Sequence, residues 1–234
     1  MKRDTILFDL DGTLLPMDQH SFAMKWFEGI GQKFRDRVEN MQELFETFQK
    51  SVHYMIHNDG SRLNEERFWE FFLSRTGGER DDWEEDMLDF YKNEFHLAKG
   101  PTWVNPAVAK TIKRLKEQGY DLVVATNPVF PPIGTKTRIR WAGLDPEDFT
   151  YITTYDNSRY CKPNVKYYEE IMERLNKSPE QCRMVGNDVG EDMVAEQLGL
   201  EGYLITDCLL NPKKLPVDCH WQGSFEQFGE LFQA

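Results

Sequence analysis

The sequence predicts an α/β protein, a doubly wound parallel sheet interrupted early by a block of helices. Three observations carry that expectation. Short apolar, β-prone runs recur from residue 5 to about residue 206. After residue 100 these runs alternate with helical segments. Residues 16–99 show helical periodicity with no convincing strand.

The first run, Thr5-Ile6-Leu7-Phe8-Asp9-Leu10, is continuously apolar until charge interrupts it. A strand buried on both faces reads this way, so it belongs at the centre of the sheet. From about Pro16 to Lys99, Phe, Trp, Met and Leu recur three or four apart in a charge-dense background, predicting three or four amphipathic helices. Asp18 is the expected cap of the first helix and Asn64 the cap of the one carrying Phe68, Trp69, Phe72 and Leu73; Gly77-Gly78 break that helix and Asp81 begins the next. Beyond Gly100-Pro101, Asn105-Pro106 opens a helix with Val108, Ile112 and Leu115 on one face, and Gly119 ends it. Tyr120 to Thr126 then reads as a strand, with others expected at 150–154, 182–186 and 202–206 and helices near 165–175 and 191–198. Such alternation gives a Rossmann-like core, residues 1–15 and 100–234, around a helical domain at 16–99.

A chain of 234 residues accommodates one α/β domain and a smaller accessory unit. Its 28 Lys and Arg against 40 Asp and Glu give a net charge of -12, which repels phosphate backbones and anionic lipid, so no nucleic-acid or membrane partner is expected. Cys161, Cys182, Cys208 and Cys219 form no C-x-x-C pair, and no secretory signal opens the chain, which reads as a cytoplasmic protein with reduced thiols. Every apolar run falls far short of the roughly 20 residues that span a bilayer.

Chemistry gathers at the strand ends. Asp9-Leu10-Asp11-Gly12-Thr13 follows the first strand, where residues two apart point the same way, so Asp9 and Asp11 share one mouth. Open α/β sheets bind ligands at such carboxyl-end crevices, and Gly12 permits the sharp exit. An Asp-Gly pair alone often marks only a turn. Here Thr126-Asn127 follows the second strand, Cys161-Lys162-Pro163 precedes a helix after the third, and Gly186-Asn187-Asp188 with Asp192 follows the fourth.

This ordered set resembles the haloacid dehalogenase-like hydrolase superfamily, whose four motifs correspond to Asp9-x-Asp11-x-Thr13, Thr126, Lys162 and Asp188-x-x-x-Asp192. The resemblance covers residues 1–15 and about 101–208, and the middle block is similar to that family's helical cap. It implies a phosphohydrolase acting on a small phosphorylated metabolite bound between cap and core. Asp9 would be the nucleophile that becomes phosphorylated, Asp11 the general acid and then base, and Thr13 a support for Asp11. Thr126, Asn127 and Lys162 would grip the phosphoryl oxygens. Magnesium would be held by Asp9, the main-chain carbonyl of Asp11 and Asp188, with Asp192 reaching it through water or orienting Lys162. An anionic nucleophile attacking an anionic phosphoryl group needs such positive charge.

Three rivals follow from the same motifs. A phosphomutase shares all four and differs in what accepts the phosphoryl group. Dehalogenating and phosphonate-cleaving relatives lack the second aspartate, so Asp11 argues against both. A phospho-aspartate switch would place its acceptor after the third strand without a large insertion.

The remaining signals read as structural. His20 sits where related mutases couple cap closure to chemistry, but a helix-surface histidine is the plainer reading. His53 and His57, four apart, lack partners for zinc. Arg138 and Arg140, beside Trp141, could reach an anionic substrate, although surface cations are the commoner case. The acidic run 79–86 reads as a solvated helix start, and cap aromatics such as Trp26, Phe27, Phe45 and Phe48 as helix packing.

Overall fold

A computed structural model describes residues 3–233. Six parallel strands form one sheet: β1 (Thr5–Phe8), β2 (Asp121–Val124), β3 (Tyr151–Ile152), β4 (Cys182–Gly186), β5 (Glu201–Ile205) and β6 (Trp221–Gly223). Their order is β3-β2-β1-β4-β5-β6, so β1 is central and the order reverses beside it. This is the Rossmann-like arrangement, with a ligand crevice at the switch point. Register aligns Leu7 with Val123 on one side and Met184 on the other.

The continuous apolar character of β1 follows from its two covered faces. Ile6 and Phe8 pack with Val108, Ile112 and Leu115 of α5 (Pro106–Glu117) and with Phe225 and Phe228 of α8 (Phe225–Glu230). Leu7 points the other way, with Val123 and Met184, onto Tyr167, Tyr168 and Ile171 of α7 (Val165–Leu175). Remaining on the core is α6 (Pro132–Trp141).

Between β1 and β2 stand α1 (Gln19–Phe34), α2 (Met41–Ile56), α3 (Asn64–Thr76), α4 (Arg80–Lys92) and a 3-10 segment, Glu94–Lys99. Interlocked rings, including Phe34, Phe48, Phe72, Phe90 and Phe95, fill this insertion, and its apolar cluster continues into the Ile6 face of the sheet. Asp18 caps α1 as expected, accepting from Ser21 N–H at 2.7 Å. Main-chain hydrogen bonds attach the block to the core at two places. Its entering and leaving strands pair, Asp18 N–H to Pro101 and Trp103 N–H to Pro16, each at 3.0 Å. At the far corner, Asn64 and Glu65 donate their N–H groups to Ser158 and Tyr155, each at 2.9 Å.

Several expectations are corrected. Asn64 is the first residue of α3, not its cap; Leu63 holds that place, and Glu66 accepts its N–H at 2.8 Å. The Asn64 side chain is buried and otherwise engaged, donating to Pro128 O and Cys161 Sγ, each at 3.3 Å, and accepting from Asn58. The next helix starts at Arg80 rather than Asp81. The helix expected at 191–198 is a 3-10 segment, Met193–Leu198, because the preceding residues are consumed by a polar loop and Gly199 stops the chain at φ +97°. β6 and α8 had no counterpart in the sequence reading. No described helix is long and apolar enough to cross a membrane.

Candidate active site

At the carboxyl ends of β1, β2 and β4 lies a cleft of about 220 Å³ lined by Asp9, Asp11, Thr126, Asn127, Asp188 and Asp192, among others. Register explains the convergence: Asp9 N–H donates to Val185 O at 2.8 Å and Ala125 N–H to Phe8 O at 2.7 Å, so three strands end side by side.

Lys162 is 1% exposed, and its Nζ donates to Asp9 Oδ1 at 2.8 Å and Asp192 Oδ1 at 2.6 Å. Burial alone would pull its pKa down, but Asp192 and Asp9 together hold it well above the usual lysine range. One lysine facing two buried carboxylates leaves an unbalanced negative charge. Asp9 registers it: burial, with Asp192 and Asp11 adding repulsion, outweighs Lys162 and pushes its pKa up to about 7. Burial likewise raises Glu191, beside the cleft, to about 6.

Thr13 was expected to hold Asp11 but does not. Its hydroxyl lies 3.3 Å from Asp9 Oδ2 and 3.0 Å from Asn187 Oδ1, because the chain reverses at Gly12 with φ +93°. A side chain at Gly12 would also meet Asn187 Nδ2, 2.3 Å from an ideal Cβ. At Gly186, a Cβ would lie 2.1 Å from Asp192 Oδ2, so a glycine lets Asp192 tuck under the strand end. There Asp192 Oδ2 accepts Asp188 N–H at 2.9 Å while Oδ1 holds Lys162. Asp188 Oδ1 takes the N–H groups of Gly190 and Glu191 at 2.7 and 2.9 Å. Thr126 is pinned through its carbonyl, which accepts from Thr153 Oγ1 at 2.7 Å and Tyr167 OH at 2.8 Å. Asn127 reaches Glu191 at 3.3 Å.

Asp11 is held by groups the sequence reading did not assign to it. Arg138 of α6 is fully buried, not a surface cation, and its guanidinium pairs with Asp11 Oδ2. It lies 4.0 Å over the Phe130 ring and donates to Gly134 O and Thr135 Oγ1, each at 3.4 Å. Arg140 is exposed. Asp11 Oδ1 is buried without a partner, and the Asp11 carbonyl accepts from Gln19 Nε2 at 3.1 Å. Gln19 thus occupies the position considered for His20, which is exposed on α1 and does not line the cleft.

The donor set fits a hard cation. Asp9 and Asp188 offer carboxylate oxygens, the Asp11 carbonyl keeps a second lone pair beyond Gln19, and the cleft carries excess negative charge. No three His, Cys, Asp or Glu side chains among the described residues could hold a metal by themselves, so such an ion would also need main-chain and substrate oxygens.

Comparison with known proteins agrees with this geometry. The chain is 27% identical over 219 residues to pyrophosphatase PpaX of Halalkalibacterium halodurans, covering 88% of this chain and 86% of that one. Its fold matches the putative HAD-hydrolase YfnB of Bacillus subtilis, solved bound to magnesium, with a TM-score of 0.56 at 18% identity over 100% of both chains. It equally matches the L-2-haloacid dehalogenase of Xanthobacter autotrophicus, with a TM-score of 0.57 at 14% identity over 99% of this chain and 98% of that one. Residues 3–199, which include every polar residue lining the cleft, match the haloacid dehalogenase-like hydrolase family, and the chain belongs to that family.

Proposed function

We propose that the protein is a magnesium-dependent phosphatase that works through an aspartyl phosphate on Asp9, with residues 16–99 acting as a cap over the cleft. The observation that carries the reading is Asp11: a second carboxylate at the mouth of β1, seated on a buried arginine. Halide departure needs no proton, whereas an alkoxide does, so this carboxylate favours phosphate esters over carbon–halogen bonds. The name of the PpaX relative points the same way.

Asp9 attacks phosphorus, and the ester oxygen leaves with a proton from Asp11. Asp11 then takes a proton from water, which attacks the phosphoaspartate and releases inorganic phosphate. Lys162 and Thr126 bind the phosphoryl oxygens, and Asp192 keeps Lys162 aimed. Arg138 is a positioning residue that fixes where Asp11 stands. Asp9, the Asp11 carbonyl and Asp188 would hold the cation, whose chemistry is to neutralise charge between nucleophile and phosphoryl group; magnesium in the YfnB structure supports that choice.

Phosphate release from a panel of phosphoesters, with and without magnesium, tests the reading beside Asp9→Asn. Magnesium-dependent release that falls at least ~10³-fold in the variant is expected. Undiminished release by Asp9→Asn would refute the assignment, and phosphoryl return to a second sugar hydroxyl would indicate a mutase.

A further inference from the structure

Phe22 also lines a second hollow, of about 370 Å³, between the insertion and the loop that follows Thr126. Its size lies within the roughly 300–1,000 Å³ of ordinary small-molecule pockets. Helices α1 to α4 supply its walls, with Trp26, Phe48, Trp69 and Met87 among them, and Phe130 of the core forms its floor. Among the described residues, no Lys, Arg or His lines it, and its one carboxylate, Glu84, is paired with Arg80 at 3.1 Å. The nearest cation, Arg80 against Trp69, is already paired with Glu65 and Glu84, so no cation in the lining is left to neutralise a second anionic group. Two polar features remain unsatisfied: the indole N–H groups of Trp26 and Trp69 are buried with no acceptor, the latter on a residue only 4% exposed.

We propose that this hollow is the leaving-group subsite, and that the substrate is a phosphomonoester of an uncharged, mainly apolar alcohol that carries an acceptor for the Trp26 or Trp69 N–H. The proposal rests on the phosphatase reading. The phosphate would lie among the cleft's polar groups and the organic body would pass Phe22 into the aromatic hollow. A buried donor without a partner disfavours the empty state and is satisfied by a ligand oxygen. Compounds whose leaving group is itself anionic, such as pyrophosphate or a phosphorylated carboxylic acid, would leave a charge stranded against aromatic rings. The site therefore selects against the substrate named for the PpaX relative.

Turnover of n-alkyl phosphates from methyl to hexyl, with 1-naphthyl phosphate and pyrophosphate, reads the subsite directly. The expected kcat/KM rises about fourfold per added methylene until the hollow fills, with the naphthyl ester well above pyrophosphate. Ala23→Trp, which narrows the hollow, should flatten the series. A series that is flat in the wild type, or a preference for pyrophosphate, overturns the proposal while leaving a phosphatase. Binding to Asp9→Asn, followed by tryptophan fluorescence, separates the two readings. Hexyl phosphate should bind at least ~30-fold more tightly than methyl phosphate. Tighter binding without turnover of any ester by the wild type would retain the subsite and reject the phosphatase, whereas equal affinities would reject the subsite.

Discussion

On one side of Phe22 the walls are carboxylates and amides, with a buried lysine behind Asp9; on the other they are indoles, phenyl rings and a thioether. The cleft draws its residues from positions as distant as 9, 126 and 188, brought together because parallel register ends β1, β2 and β4 at one level. The hollow draws its residues from the faces of four consecutive helices. Phosphoryl chemistry is thus tied to the sheet, where a small displacement would dismantle every contact. The proposed selection of the leaving group is tied to helix faces, where one side chain can be exchanged without moving another element.

Three substitutions sharpen this contrast. Lys162→Met should have the largest effect, removing the charge shared by Asp9 and Asp192. Phosphate release is expected to fall at least ~10³-fold and, because two buried carboxylates lose their partner, stability by about 3–5 kcal/mol in urea denaturation. Retained activity would mean that the cleft's charge balance lies elsewhere.

Arg138→Gln should act more selectively. With Asp11 no longer seated, kcat for alkyl phosphates is expected to drop about tenfold, but that for 4-nitrophenyl phosphate much less, since nitrophenolate leaves with little help from an acid. An equal loss on both esters would assign Arg138 a role in folding alone.

The smallest effect is a shift in stability with pH. Asp9 has a raised folded-state pKa, so it favours the folded state through proton binding below about 7, and that advantage disappears as pH rises from about 4 to about 7. In metal-free buffer, Asp9→Asn should therefore gain in melting temperature relative to the wild type across this window, by a few degrees. A difference independent of pH would show that Asp9 is not penalised by its burial.

Legibility differed between these regions for physical reasons. The central strand and the site-bearing strand ends could be read because apolar runs stop abruptly at Asp9, Thr126 and Gly186, and the order of the polar residues beyond them is distinctive. Arg138 could not be recognised as buried because α6, Pro132–Trp141, mixes small, basic and aromatic residues without a clear apolar face. Asn64 offered a familiar capping pattern, yet its amide serves distant groups that are invisible along the chain. Thr13 was placed on the wrong aspartate because the turn at Gly12 redirects it. β6, three residues long at the sheet edge, offers too short a pattern to identify.

Asn64 and the paired linkers at Met17 and Thr102 hold the helical block at two separated points. Because Asn64 bonds to Pro128 O and Cys161 Sγ, this attachment lies next to Thr126 and Lys162, the residues proposed to grip phosphate. A displacement of the helical block at that point would therefore be felt first by the loops that carry Thr126 and Lys162.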